Sequence, residues 1–346
     1  MSSGAKVLIV DSSPLQRMVI SNVIRDGNMQ VVDTAGNGQE ALDKLQQKEV
    51  DIVVTAVNMP QYDGKYLVKK LMLQKSIPIL LICGSQDDFS LVTECIQLGA
   101  VDFIEKPDGG NFSSMRSIQD QILNKISTIL KLDVQALTEK KNATASSVTA
   151  EHSFGDNLPY DILCIGSSTG GPSAVEALIT NLPGNFPLPT IIVQHMPQRF
   201  IPVFAKRLGT LTKIPVKVAE VNERILPGNI YVAQGIGNPY LKMSLGNLKL
   251  NYNNDVYPEF NNPSVNCLFE SAAPIFKNKL LGVVLTGMGK DGMNGAIKIK
   301  ANNGTMVVQN EKSSVVFGMP KAVIDAGCAD HVVDIRQMGH FLTSCL

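Results

Sequence analysis

Short aliphatic runs alternate along the chain with longer segments whose apolar positions recur every three or four residues. From Ala5 to about Leu130 the runs are KVLIV (Lys6 to Val10), VVDTA (Val31 to Ala35), DIVVTA (Asp51 to Ala56), IPILLIC (Ile77 to Cys83) and DFIEK (Asp102 to Lys106). Each is brief and rich in β-branched residues, the pattern of a strand buried in a sheet. The segments between them, such as Pro14 to Arg25, Gln39 to Gln47 and Asp87 to Leu98, carry the apolar spacing of amphipathic helices that cover a sheet. Five such β–α units predict one doubly wound domain with a parallel sheet.

From about Lys131 to Asn157 the periodicity lapses into a polar stretch rich in Ser, Thr, Ala and Asn, which reads as a linker with a helical start. Alternation then resumes with DILCIG, PTIIVQH, VKVAEV, NIYVAQG, LLGVVLTG and GTMVVQN, and MSLGNLKLNY predicts a hairpin around Gly246-Asn247. The expected architecture is α/β: two doubly wound, mainly parallel-sheet domains, residues 1–130 and 158–346, joined by a linker at 131–157. The halves share no sequence repeat; their likeness is architectural.

The length of 346 residues fits about two domains. Equal numbers of basic and acidic residues, 31 of each, leave no global field to concentrate the chain on nucleic acid or acidic lipid. Without Trp and with 5% aromatic residues, it lacks the stacking platforms of single-strand binders. The six Cys residues (Cys83, Cys95, Cys164, Cys267, Cys328 and Cys345) show no C-x-x-C spacing and read as reduced, mostly buried thiols. The apolar run at the start is too short for a signal sequence and no window reaches about 20 apolar residues, so a cytoplasmic location without membrane insertion is expected.

In an open α/β sheet, ligands bind beyond the carboxyl ends of strands. Three such places carry residue types suited to acyl transfer. DILCIGSSTGGP runs a strand into a Gly/Ser-rich turn and then a helix, where a serine could act as nucleophile beside free helix N–H groups. A turn of this composition is also the form of a phosphate cradle or of a plain turn. IIVQHMP puts His195 at a strand end, as a base or as a satisfied structural group. VVLTGMGKDG puts Asp291 in a glycine-rich turn, as an orienting carboxylate or as a helix cap. Together they supply a nucleophile, a base and a carboxylate where one sheet edge can gather them, in an order unlike those of the α/β-hydrolases, chymotrypsin or subtilisin.

The segments GSSTGGP, QHMP, ERILPGNIYVA, NPSV, VVLTGMGKDGMNG and QNEKSSVVFGMPKA are spread from about Pro159 to the end. As a set they resemble the catalytic domain of the chemotaxis response-regulator protein-glutamate methylesterases. The resemblance implies Ser168 as nucleophile, His195 as general base and Asp291 as the carboxylate that orients it, with Thr169 and the backbone N–H of Met288 supporting the oxyanion. It implies no cofactor or metal, and as substrate a glutamyl γ-methyl ester on the cytoplasmic domain of a methylated chemoreceptor, with glutamine deamidation as a related activity. Two stretches depart from the family pattern. Gln234-Gly235-Ile236-Gly237-Asn238 stands where Pro, Gly and shortly a His are usual, and Asn266 follows Pro263-Ser264-Val265 where Asp is common.

Residues 5 to about 125 resemble the receiver domain of two-component response regulators. Such domains use an acidic pair after strand one for Mg²⁺, an aspartate phosphoacceptor after strand three, a Thr or Ser after strand four and a Lys after strand five. Here the positions read Asp11-Ser12, Ala56, Cys83 and Lys106. A methyl group accepts no phosphate, and Asp51 lies ~16 Å back along its strand, toward the wrong end. The expectation is a pseudo-receiver with a residual Asp11–Lys106 ion pair. In the family an unmodified receiver obstructs the esterase site and phosphorylation relieves it, a switch this chain is expected to lack. The competing reading is a non-catalytic receptor-array adaptor that binds chemoreceptors or the chemotaxis kinase through its receiver-like surface.

Overall fold

A computed structural model of the chain describes residues 4–74, 77–84, 87–107, 115–131, 152–257 and 263–346. The chain divides into two compact units at about residue 144. Most of the expected linker, residues 132–151, lies outside the described residues.

The first unit holds a parallel five-stranded sheet of β1 (Lys6–Val10), β2 (Gln30–Ala35), β3 (Ile52–Ala56), β4 (Ile79–Cys83) and β5 (Asp102–Glu105), in the order β2-β1-β3-β4-β5. The residues of β3 and β4 are all buried, which is why those runs lack polar alternation. Side-chain caps start the helices where the chain leaves the sheet: Ser13 Oγ accepts from Gln16 N before the helix Pro14–Asp26, and Asn37 Oδ1 from Glu40 N before Gly38–Gln47. Chain direction across the sheet reverses between β1 and β3, so Asp11, Ala56, Cys83 and Lys106 all come to the carboxyl edge.

The second unit is built on a seven-stranded parallel sheet. Its strands are β6 (Ile162–Ser167), β7 (Thr190–Gln194), β8 (Val216–Val218), β10 (Ile230–Val232), β13 (Leu280–Val284), β14 (Thr305–Gln309) and β15 (His331–Val333). Their order is β15-β14-β13-β6-β7-β10-β8. The chain builds outward from β6 on one side through β7, then returns to build the other side from β13, so the switch point lies between β6 and β13. A core of Ile162, Cys164, Ile191, Val193, Phe269, Val284 and Met306 joins these central strands to their helices.

A separate antiparallel sheet contains β9 (Glu223–Arg224), β11 (Asn238–Ser244) and β12 (Asn247–Asn253). β9 and β15 had no strand signature in the sequence because they are short and mostly solvent-facing. The hairpin forms, with its turn one residue earlier than expected. Ser244 pairs with Asn247, leaving Leu245 and Gly246 at the turn with φ of 49° and 74°. Two left-handed residues match the twist of a tight hairpin, but Leu carries a Cβ penalty that Gly and Asn escape. The Leu245 side chain is 97% exposed, so it has little packing to offset that penalty. Leu245→Asn is expected to stabilise the protein by about 1 kcal/mol, read as a higher denaturant midpoint at unchanged slope.

Candidate active site

The parallel register of β6 and β7 pairs Ser167 with Gln194. Ser168 and His195, each one residue further, therefore leave the sheet side by side, on strands about 4.8 Å apart. On the other side of β6, β13 delivers Thr286, whose carbonyl accepts the Ser168 N–H at 3.0 Å. The Ser168 carbonyl accepts from Gly171 N at 2.7 Å, closing the turn into the helix Gly171–Thr180. With its backbone held at both ends, half-buried Ser168 sits at the switch point.

Thr169 is buried, and its carbonyl accepts from Thr286 Oγ1 at 2.9 Å. Gly287 crosses directly against the serine: a Cβ there would lie 2.8 Å from Ser168 Cβ and 2.2 Å from Met319 Sδ, so only glycine allows the approach. Met288, the next residue, is half-buried in the same loop.

Asp291 is fully buried. His195 Nε2 donates to its Oδ2 at 2.8 Å, which leaves Nδ1 as the ring atom for proton exchange. Val265 N donates to the same oxygen at 2.7 Å, while Oδ1 accepts from Asn266 N (3.0 Å), Gly292 N (2.9 Å) and Ser264 Oγ (3.1 Å). Ser264 also caps the helix Val265–Phe276, so the carboxylate sits against the positive end of a helix dipole. Asn266 Oδ1 in turn accepts from Gly292 N and Gly295 N at 3.0 and 2.8 Å, which fastens the aspartate loop to the start of the helix Met293–Ala301.

The family described as CheB methylesterase matches residues 163–342, and that described as response regulator receiver domain matches residues 7–112. The protein-glutamate methylesterase/protein-glutamine glutaminase of Thermotoga maritima is 36% identical over 332 residues, covering 95% of this chain and 94% of its own. A counterpart from Oleidesulfovibrio alaskensis is 33% identical over 365 residues, covering 99% of both. This chain belongs to the CheB methylesterase family. Among solved structures, the Thermotoga maritima CheB methylesterase catalytic domain superposes with a TM-score of 0.53 and 40% identity, over 55% of this chain and all of that one.

Sequence reasoning on this family member singled out Ser168, His195 and Asp291 but missed the part played by Ser264 and by the backbone of Val265 and Asn266. Their signal was present in Pro263-Ser264, a helix-start pair, yet nothing in the sequence says that this helix points at Asp291. The departure at Asn266 is an interior contact: its amide oxygen binds two N–H groups without adding a second carboxylate beside Asp291.

In the receiver-like unit, Lys106 Nζ lies 2.7 Å from Asp11 Oδ2, and Ser13 N donates to Asp11 Oδ1 at 2.9 Å. Arg17 Nη1 donates to the Asp11 carbonyl at 2.6 Å. Ala56 and Cys83 are buried, and the Cys83 thiol donates to Ile104 O at 3.3 Å. Asp51 stands at the opposite end of β3, accepting from Lys6 N at 2.8 Å. The Mg²⁺ that receivers hold takes an octahedral shell of oxygens, with one or two carboxylates and several waters. Among the described residues no cluster of three or more His, Cys, Asp or Glu could hold a metal, and Asp11, engaged by an ammonium beside a methyl and a thiol, does not fit it.

Burial would push the Asp291 carboxyl up, but the His195 donor and the N–H groups of Asn266 and Val265 outweigh it and hold it below the ordinary 3.8. A carboxyl lowered by folding adds stability above its unfolded value, and that contribution disappears as pH falls through the lower folded value. Asp291→Asn is therefore expected to lower the denaturant midpoint at neutral pH, with the gap to wild type closing below pH 3.8. A gap that persists unchanged in acid would contradict it.

Proposed function

We propose that this chain is a serine hydrolase that removes methyl esters from glutamyl side chains of chemoreceptors and deamidates glutamine by the same route. The observation that carries this reading is the side-by-side exit of Ser168 and His195 from paired strands, with His195 hydrogen-bonded to a buried Asp291. Ser168 Oγ attacks the side-chain carbonyl while His195 Nδ1 takes its proton. Asp291 stabilises the imidazolium through Nε2. The imidazolium returns the proton to the leaving methoxide, giving methanol, or to the leaving amide nitrogen in the deamidation, giving ammonia, and water then hydrolyses the acyl-enzyme with His195 again as base.

Thr169 and the Met288 N–H are the supports assigned to the oxyanion, and preorganised donors of this kind contribute roughly 3–4 kcal/mol. The partner is the cytoplasmic domain of a methylated chemoreceptor, which places the enzyme in the cytoplasm. Among the described residues no helix is long and apolar enough to cross a membrane, consistent with action on a receptor's aqueous segment.

The receiver-like half is assigned as a pseudo-receiver. With Ala56 in the acceptor position and Lys106 paired to Asp11, it is a fold kept for packing or partner binding and carries no phosphate switch.

Methanol release from a methylated receptor fragment tests the hydrolase. Full-length wild type is expected to turn over, and Ser168→Ala to lower the rate by at least about a thousandfold. No release by wild type, with receptor capture unaffected by Ser168→Ala, would replace the enzyme with the adaptor. For the pseudo-receiver, incubation with acetyl phosphate and Mg²⁺ is expected to leave the intact mass unchanged. One added phosphoryl group, mapped to residues 4–131, would overturn that assignment.

A further inference from the structure

The mechanism leaves the buried amide of Gln194 unused. Gln194 is the last residue of β7, 2% exposed, and lies between the turns that carry the nucleophile and the base. Its Nε2 donates to the carbonyl of Ser168 at 2.9 Å and to that of His195 at 3.1 Å. Carbonyls only accept, so this end of the amide must be the nitrogen. Its other end, Oε1, accepts from Ser167 Oγ at 2.6 Å, and Ser167 is itself fully buried. The ring of bonds closes through the backbone, where His195 N donates to Ser167 O at 3.0 Å.

The surrounding chain is shaped around this amide. A Cβ at Gly171 would fall 2.1 Å from Gln194 Oε1 and 2.9 Å from Ser167 Cβ, so the first residue of the following helix must be glycine for the amide to occupy its place. β-sheet pairing ends at Ser167 and Gln194. Beyond that pair the His195 N–H to Ser167 O bond is the backbone link between the two turns, and the Gln194 side chain adds the contacts that join the carbonyls of Ser168 and His195.

We propose that Gln194 is a positioning residue: one buried amide that clamps the carbonyls of the nucleophile and the base, with Ser167 setting its orientation. The role rests on Ser168 and His195 acting as nucleophile and base. A clamp of this kind acts on the attack geometry, so it affects the chemical step and leaves substrate affinity unchanged.

The test uses the full chain and three variants, Gln194→Glu, Gln194→Met and Ser167→Ala. Two rates are read: labelling of Ser168 by a fluorophosphonate, which needs no receptor, and methanol release from a methylated receptor fragment. Gln194→Glu keeps the shape but turns an acceptor toward two carbonyls. It is expected to slow both labelling and kcat by about a hundredfold with KM within about twofold. Gln194→Met removes the donor without adding an acceptor and is expected to slow them by a smaller factor than Gln194→Glu. Ser167→Ala leaves the amide unanchored and is expected to slow them about three- to tenfold. Should the Gln194 variants fail to fold, Ser167→Ala decides alone.

Labelling and kcat within about twofold of wild type in Ser167→Ala and in any folded Gln194 variant, or a raised KM at constant kcat, would overturn the clamp. A wild type that labels at Ser168 but releases no methanol leaves the clamp standing on the labelling rates and removes only the receptor substrate. A wild type that does not label would remove the hydrolase and the clamp together.

Discussion

A carboxylate with no contact to solvent is the constraint around which the catalytic half is arranged. Removing such a charge from water carries a desolvation cost of several kcal/mol, which only direct donors can offset. Asp291 receives three backbone N–H groups, one hydroxyl and the His195 ring, and every one of these comes from a different stretch of chain or from a helix start. The helix Val265–Phe276 must therefore point its N-terminus at the loop after β13, and the His195 ring must come from the end of β7 on the far side of β6. Satisfying one buried charge thus fixes the relative placement of two helices and three strands, and the imidazole is oriented as part of the same solution.

The receiver-like half solves the same problem differently. Asp11 is also buried at the carboxyl edge of a parallel sheet next to a switch point, but its partner is the Lys106 ammonium. The His195 imidazole keeps a second ring nitrogen that can accept a proton while the first holds Asp291, so that pair is suited to chemistry. The Lys106 ammonium only donates, so the Asp11–Lys106 pair is suited to cohesion. With Ala56 beside it, the edge that in receivers takes a phosphoryl group is occupied by an ion pair and a methyl.

Much of this was legible in the chain. The strands β1, β3 to β7, β10, β13 and β14 announce themselves as short aliphatic runs because parallel strands are buried on both faces, and the edge strands β2 and β8 show the weaker runs VVDTA and VKVAEV. Ser168, His195 and Asp291 could be singled out because they follow such runs directly. The turn of the β11–β12 hairpin was displaced by one residue because cross-strand pairing of Ser244 with Asn247 overrode the preference of Gly-Asn for the turn, forcing Leu245 into a left-handed conformation. β9 and β15 were illegible because solvent-facing strands of two or three residues need no apolar signature.

What the sequence determined by itself was the α/β class, the two-domain division in outline, the family and the alanine at position 56 after the third strand, since each follows from residue type at a position along one strand or turn. What only the tertiary structure decided was which groups meet: the helix start at Ser264 turned toward Asp291, the Asn266 amide joined to Gly292 and Gly295, the Gln194 amide bridging Ser168 and His195. These pairings lie 25 to 29 residues apart for the first two and across two strands for the third. They depend on strand order and on where a helix axis points, properties of the packed sheet that periodicity along a single segment does not carry.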